Sequence, residues 1–228
     1  MTAQQCLIET ANPDQTPELR DVFDFTITPV TYSLRGFQTI RRLIMQGTIF
    51  AMREPRITGE FAEYNSRSRT PTIRIGFDIL GTDPDERESK KGLLLHECIH
   101  AMQDNRGATW MRVDLAEAAA YTAQCLFHRA CGRDRIELDP LVEAAWDVTD
   151  VILGSSSRVA GEGDLAGLLA EIRRHPSYAS TQGITGRYDG IERPEQPPRR
   201  QSGGCGGCAV SALSSRSGAA HIFNLLSM

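Results

Sequence analysis

No stretch of this 228-residue chain approaches the roughly 20 consecutive apolar residues that a membrane-spanning helix needs. The opening residues, MTAQQCLIETANPDQ, lack the basic and apolar regions of a secretory leader, so the expected setting is cytoplasmic, with leader-independent export left open. Positive charge is not in excess. Lys and Arg number 25 against 29 Asp and Glu, a formal net charge of −4, whereas a nucleic-acid binder held mainly by electrostatics would be basic. The six cysteines, Cys6, Cys98, Cys125, Cys131, Cys205 and Cys208, are too unevenly spaced to read as a disulfide framework, and reduced thiols are the expectation. The chain shows no internal repeat. Apolar residues make up 40% and charged residues 24%, close to the globular average, and the length suits one domain with a tail.

The boundaries expected are a single domain over 1–200, opening on a loose arm over 1–20 that contains Pro13 and Pro17, and a tail over 201–228. In the stretch 33–53, Leu34, Phe37, Ile40 and Ile44 have helical spacing behind Ser33 as a plausible cap; Gly47 weakens the pattern, and Thr48 and Ile49 could begin a strand. Residues 71–80 alternate, with Ile73, Ile75, Phe77 and Ile79 on one face. Pro71 and Gly76 suit an edge strand better than a central one. Further on, Asp83, Pro84 and Glu86 form a helix-start signal and Gly107 a stop, predicting a helix over about 84–105. Helices are also predicted over about 111–131, stopped by Gly132, over 141–153 after Pro140, and over about 163–174. Residues 175–200, with Pro176, Pro194, Pro197 and Pro198, read as a long loop.

The helix predicted over about 84–105 carries His96-Glu97-Cys98-Ile99-His100, an H-E-x-x-H pattern. Background residue frequencies would produce it in roughly one chain in a hundred of this size, so its context decides its weight. Residues four apart on a helix share a face, so His96 and His100 can reach one cation. Neutral imidazole suits Zn²⁺, and Glu97 can lean toward a water held by the metal and act as its general base. Leu94, Leu95, Cys98, Ala101 and Met102 would bury into the core, giving the helix a dry side and a metal side. Gly92, one turn before His96, would let something pass close.

A catalytic zinc normally has three protein ligands and one open position. Arg106 stands where an H-E-x-x-H-x-x-G-x-x-H pattern would need its third histidine. The remaining candidates are Asp104, Asp114, Glu117 and His128. Asp104 is better placed to orient the His100 imidazole from behind. Glu117, Tyr121, Gln124 and His128 form a polar stripe on an alanine-rich helix, which a metal cleft would explain, and Glu117 is favoured as the third ligand. Asp114 is the runner-up, since Asp114-x-x-Glu117 also has the form of a capping box.

With these residues the chain resembles the gluzincin type of zinc metallopeptidase, the thermolysin-like grouping. The match between LLLHECIHAMQD with LAEAAAYTAQ and small bacterial metallopeptidase domains of toxin or effector type is looser. The resemblance covers about residues 70–131. It implies zinc on His96, His100 and Glu117, a catalytic role for Glu97, and correspondence of the strand at about 72–80 with the strand that lines the zincin substrate cleft. Tyr121 stands where thermolysin-like enzymes have an aspartate that supports a histidine.

A peptidase also needs a donor for the developing oxyanion. The segment HPSYASTQGITGRYDG contains His175, Tyr178 and Tyr188; Tyr188 or His175 is the candidate, against an ordinary surface loop. Cys205-Gly-Gly-Cys208 is a lone C-x-x-C: either a flexible tail or a thiolate that covers the cleft in cis. The expectation is thus an α+β, mainly α, zincin-like fold with an edge strand before the H-E-x-x-H helix. Its expected activity is zinc-dependent peptide hydrolysis by a Glu-activated, zinc-bound water, with a peptide or protein as substrate. The alternatives are a non-hydrolytic metal-binding scaffold, a toxin or effector protease with one protein substrate, or a protease that processes its own tail.

Overall fold

A computed structural model describes residues 2–54, 62–66, 70–77, 83–135 and 139–181. Over these residues the protein is α+β and mainly helical. The tail over 201–228, its cysteines and Tyr188 lie outside the described residues.

The first 20 residues are not a loose arm. Helix α1 (Ala3–Thr10) starts where the Thr2 side chain accepts from the Gln5 N–H, and it buries Cys6, Leu7 and Thr10. A short α2 (Glu18–Val22) follows, with Leu19 fully buried. Apolar residues on one face outweigh the prolines here, which sit in the connecting turn and at the start of α2. Strand β1 (Asp24–Ile27) then pairs antiparallel with β2 (Val30–Ser33). The distant β6 (Val159–Ala160) runs parallel to β1 on its other side. The predicted 33–53 stretch divides into helix α3 (Leu34–Met45), with Phe37, Ile40 and Ile44 buried, and strand β3 (Phe50–Arg53). The chain turns between them at Gly47, whose φ of 71° is open to glycine at little strain.

The second sheet has the order β3-β5-β4, where β4 is Ala62–Asn65 and β5 is Thr72–Ile75. The strand expected at an edge is therefore central. β5 pairs parallel with β3 and antiparallel with β4. The reason is positional: Pro71 and Gly76 flank the four paired residues instead of interrupting them, and the Pro71 carbonyl still accepts from the Phe50 N–H. The edge beside the H-E-x-x-H helix belongs to β4, a four-residue segment.

That helix is α4 (Pro84–Asn105). Asp83 caps it by accepting from the Asp85 N–H, Pro84 opens it, and Gly107 follows its end at φ 62°. Glu86 contacts Lys90 along the same face. The chain folds back at Gly107 into α5 (Val113–Ala130), which packs along α4 and ends before Gly132 at φ 76°. Helix α6 (Pro140–Gly154) is capped by Asp139 and packs on α5. α7 (Ala166–Arg174) packs on both and runs into a 3₁₀ turn, Pro176–Thr181. One apolar cluster gathers side chains from Cys6 to Tyr178. Among the described residues, no helix is long and apolar enough to cross a membrane.

The two sides expected of α4, one packed in the core and one carrying His96 and His100, are both buried. Every residue from Leu93 to Asp104 is buried, because β4 covers one flank and α5 the other. At Gly92 the close neighbour is His128 of α5: a Cβ added there would lie 2.2 Å from the His128 Nε2. Burial, helped by the Arg133 charge, pushes this imidazole down to about 4, so it packs in its neutral form.

Gly92→Ala is therefore expected to destabilise the fold by about 1–3 kcal/mol through overpacking. In a His128→Ala background the ring is gone and only the helix-propensity gain of about 1 kcal/mol remains. The same substitution should then become neutral to stabilising. Urea denaturation of the four proteins of this double-mutant cycle measures the reversal.

Candidate metal centre

The α4 and α5 backbones meet so that His96 and His100 on one helix and Glu117 on the other face a common point. The two Nε2 atoms are 3.2 Å apart. His96 Nε2 lies 3.3 Å from Glu117 Oε2, and His100 Nε2 lies 3.5 Å from Glu117 Oε1. Donors bound at the 2.0–2.1 Å typical of zinc, in a tetrahedral site, lie about 3.3–3.4 Å from one another. The three separations are close to that length, the two to Glu117 being made by its two carboxylate oxygens, one toward each histidine. All three side chains are buried, and the group could hold a metal ion.

The choice between the two acidic candidates is physical. Asp114 accepts from Arg112 at 2.6 and 2.9 Å and from Arg173 at 2.7 and 2.8 Å. Partial burial works against its ionised form, but the two guanidinium groups outweigh it and lower its carboxyl. α5 begins at Arg112 and no side chain caps it, so the capping box does not form and Glu117 sits a full turn inside.

The expected orienter of His100 is corrected. Gln103 Oε1 lies 3.0 Å from His100 Nδ1. The Gln103 amide nitrogen donates to the Ala116 carbonyl and to Tyr32 Oη, and a carbonyl can only accept. The amide oxygen must therefore face the histidine, so Nδ1 carries hydrogen and Nε2 turns toward the metal point. Asp104 instead accepts from the Tyr64 hydroxyl at 2.6 Å. Gln103 lies within one turn of His100, but a glutamine there gives no signal of this role until Ala116 is in place.

Glu97, 3% exposed, accepts a 2.6 Å hydrogen bond from the Tyr64 backbone N–H on β4. Burial raises its carboxyl to about 7; the Glu117 charge adds to the rise, while His100 and the Tyr64 N–H oppose it. The Tyr121 ring stands edge-on to His96 at 4.9 Å, at the position where the resemblance has a supporting aspartate. Cys98 points into the core and burial raises its thiol strongly. His128 lies over Gly92, apart from the ligand group.

Of His175 and Tyr178, the two described candidates from this segment, Tyr178 reaches the centre. Its hydroxyl donates to Glu117 Oε2 at 3.1 Å. His175 ends α7 and its Nδ1 accepts from the Ser177 N–H. Neither had a distinguishing sequence signal; the placement of α7 selects Tyr178.

Compared with protein-family models, curated proteins and solved structures, the chain finds no match.

Two outcomes follow from this geometry. Glu117→Ala is expected to weaken metal binding by more than the roughly 10–100-fold that loss of an outer partner causes, with Asp114→Ala close to wild type. Competition against a chelator of known affinity measures both. Secondly, metal uptake should release a proton. In the metal-free chain burial disfavours charge on His100, but the Glu117 carboxylate and its hydrogen bond, then Glu97 and Gln103, outweigh it and raise the group to about 9. At pH 7 the ring is protonated and must lose about one proton to become a ligand. Affinity should therefore fall as pH falls, and calorimetry in buffers of unlike ionisation enthalpy should report the release.

Proposed function

We propose that the protein is a zinc-dependent metallopeptidase of gluzincin type. The observation that carries this reading is the close, buried grouping of His96, His100 and Glu117 with the buried carboxyl of Glu97 next in sequence to His96. Two imidazoles and one carboxylate are a donor set suited to Zn²⁺. The antiparallel edge strand β4, whose Tyr64 N–H meets Glu97, takes the place that the resemblance assigned to residues 72–80. This arrangement supports a zincin-like reading of the fold.

When bound, zinc supplies Lewis acidity, which acidifies water and polarises a carbonyl. The protein's own residues supply the rest. Glu97, held near 7, takes a proton from the attacking water and returns it to the leaving amine, the shuttle a group of such acidity performs best at neutral pH. The Tyr64 N–H fixes one Glu97 oxygen and leaves the other for this transfer. Gln103 keeps His100 in the tautomer that presents Nε2. The substrate class is a peptide or protein, with a single target protein as the toxin or effector form of the reading.

A second reading, a non-hydrolytic metal-binding domain, draws on one observation: all three ligand residues are between 2% and 4% exposed, which suits a closed structural site. One experiment separates the two. Glu97→Gln should keep its fold and metal while losing peptide hydrolysis by about 10²–10⁴-fold, because the carboxamide cannot accept the water's proton. A peptide library read by mass spectrometry, with zinc-loaded wild type beside the variant, gives the answer. Cleavage by wild type alone supports the enzyme; equal cleavage by both sinks the assignment of Glu97; no cleavage by zinc-loaded wild type favours the structural reading.

A further inference from the structure

Glu117 offers more acceptor capacity than one ion uses, since each carboxylate oxygen has two lone pairs. Oε1 faces His100 Nε2 at 3.5 Å. Oε2 faces His96 Nε2 at 3.3 Å and also accepts the Tyr178 hydroxyl at 3.1 Å. Behind Tyr178, at 3.1 Å, is the hydroxyl of Tyr121. The proton count gives this chain a direction. Tyr178 has one hydroxyl hydrogen and gives it to Glu117, so the hydrogen between the two phenols belongs to Tyr121.

The arrival of Tyr178 is itself controlled. The 3₁₀ turn that bears it continues α7, and Arg173 in the last turn of α7 binds Asp114 at 2.7 and 2.8 Å. Asp114 and Glu117 lie three residues apart on α5. One segment, α7 with its turn, therefore grips α5 twice: at Asp114 through Arg173 and at Glu117 through Tyr178. The first contact is partly solvated and is worth little by itself. The second is buried beside the metal point, where a hydrogen bond to a carboxylate is strong and directional.

We propose that Tyr178 is the positioning residue of the metal ligand Glu117: its hydroxyl takes one lone pair of Oε2 and so holds the carboxylate in the orientation in which it faces both histidines. Tyr121 sets the orientation of Tyr178 as the second donor in the chain. The proposal rests on the metal-site reading given above and assigns to the turn after α7 the control of how the third ligand binds.

The test uses the full-length chain, stripped of metal and reloaded with Co²⁺, whose visible d–d bands are intense in four-coordinate sites and weaker in five-coordinate ones. Wild type should show the four-coordinate spectrum. Tyr178→Phe keeps the ring and removes only the hydroxyl, freeing the carboxylate to turn and to change how it meets the ion. Its bands should lose intensity and shift, and its Co²⁺ affinity should fall about 10–100-fold, the usual effect of losing an outer partner. Tyr121→Phe should move the same bands in the same direction by less, and it carries the test if Tyr178→Phe does not fold by circular dichroism. A Tyr178→Phe spectrum identical to wild type overturns the proposal whatever the affinity does, since weaker binding with unchanged coordination is a packing effect. A wild-type chain that takes up no Co²⁺ overturns the metal-site reading, and this proposal with it. Co²⁺ bound by wild type with an unaltered spectrum in the variants overturns the proposal alone.

Discussion

Two imidazole nitrogens and a carboxylate are held within hydrogen-bond distance of one another and are almost wholly buried. That arrangement favours positive charge at its centre, because hydrogen bonds such as the one from Tyr178 offset only part of what burial costs a carboxylate. The Glu117 and Glu97 carboxylates accordingly raise His100 to about 9 against its burial. A cation at the same point would use the same three residues. Much of the structure serves to bring them together.

Close approach of α4 and α5 is the packing requirement. Glu117 can touch both histidines only if the two helix backbones come near, and the face of α5 that meets the core is built from Ala116, Ala119, Ala120 and Ala123, all fully buried. Interaxial distance falls when the side chains at a helix contact are small. Gly92 continues the same logic one turn from His96, where the missing Cβ makes room for the His128 ring. On the other flank, Tyr64 of β4 meets α4 at two points: its N–H at Glu97 and its hydroxyl at Asp104, two turns along the helix. A single residue thereby ties the strand to the level of the candidate base and fixes the strand's register against the helix.

Charge is used differently inside and outside. The Arg112–Asp114–Arg173 cluster is partly solvated and belongs to the surface, where ion pairs contribute little. Its consequence is geometric, because it fixes the start of α5 against α7 one turn from Glu117. The polar groups around the metal point are buried and therefore paired with care: Gln103 spends both ends of its amide, on His100 and on Ala116 with Tyr32. Such fully satisfied networks set ring tautomers and orientations more firmly than exposed pairs can.

Much of this was legible in the residues themselves. The ends of α4 and α5, the shared face of His96 and His100, and the core placement of Cys98 all follow from interactions within a few residues, which caps, glycines and helical spacing encode directly. What depended on partners far along the chain was not. The segment at 72–75 reads as an edge until β3 and β4 pair on both sides of it, and the 1–20 segment reads as loose until Leu7 and Leu19 find a core. The polar stripe favours Glu117 over Asp114 already as sequence, and the structure adds the reason Asp114 is elsewhere: two arginines, one of them 59 residues away, take it. Tyr178, Gln103 and Tyr64 carry no signature, because a hydroxyl, an amide or a backbone N–H gains its role only from what stands opposite it. The sequence by itself determined the two-histidine helix and its candidate base, since four-residue spacing is a local property. Only the tertiary structure decided the supports of the third donor and the strand beside them, since each is a contact between segments that no local rule brings together.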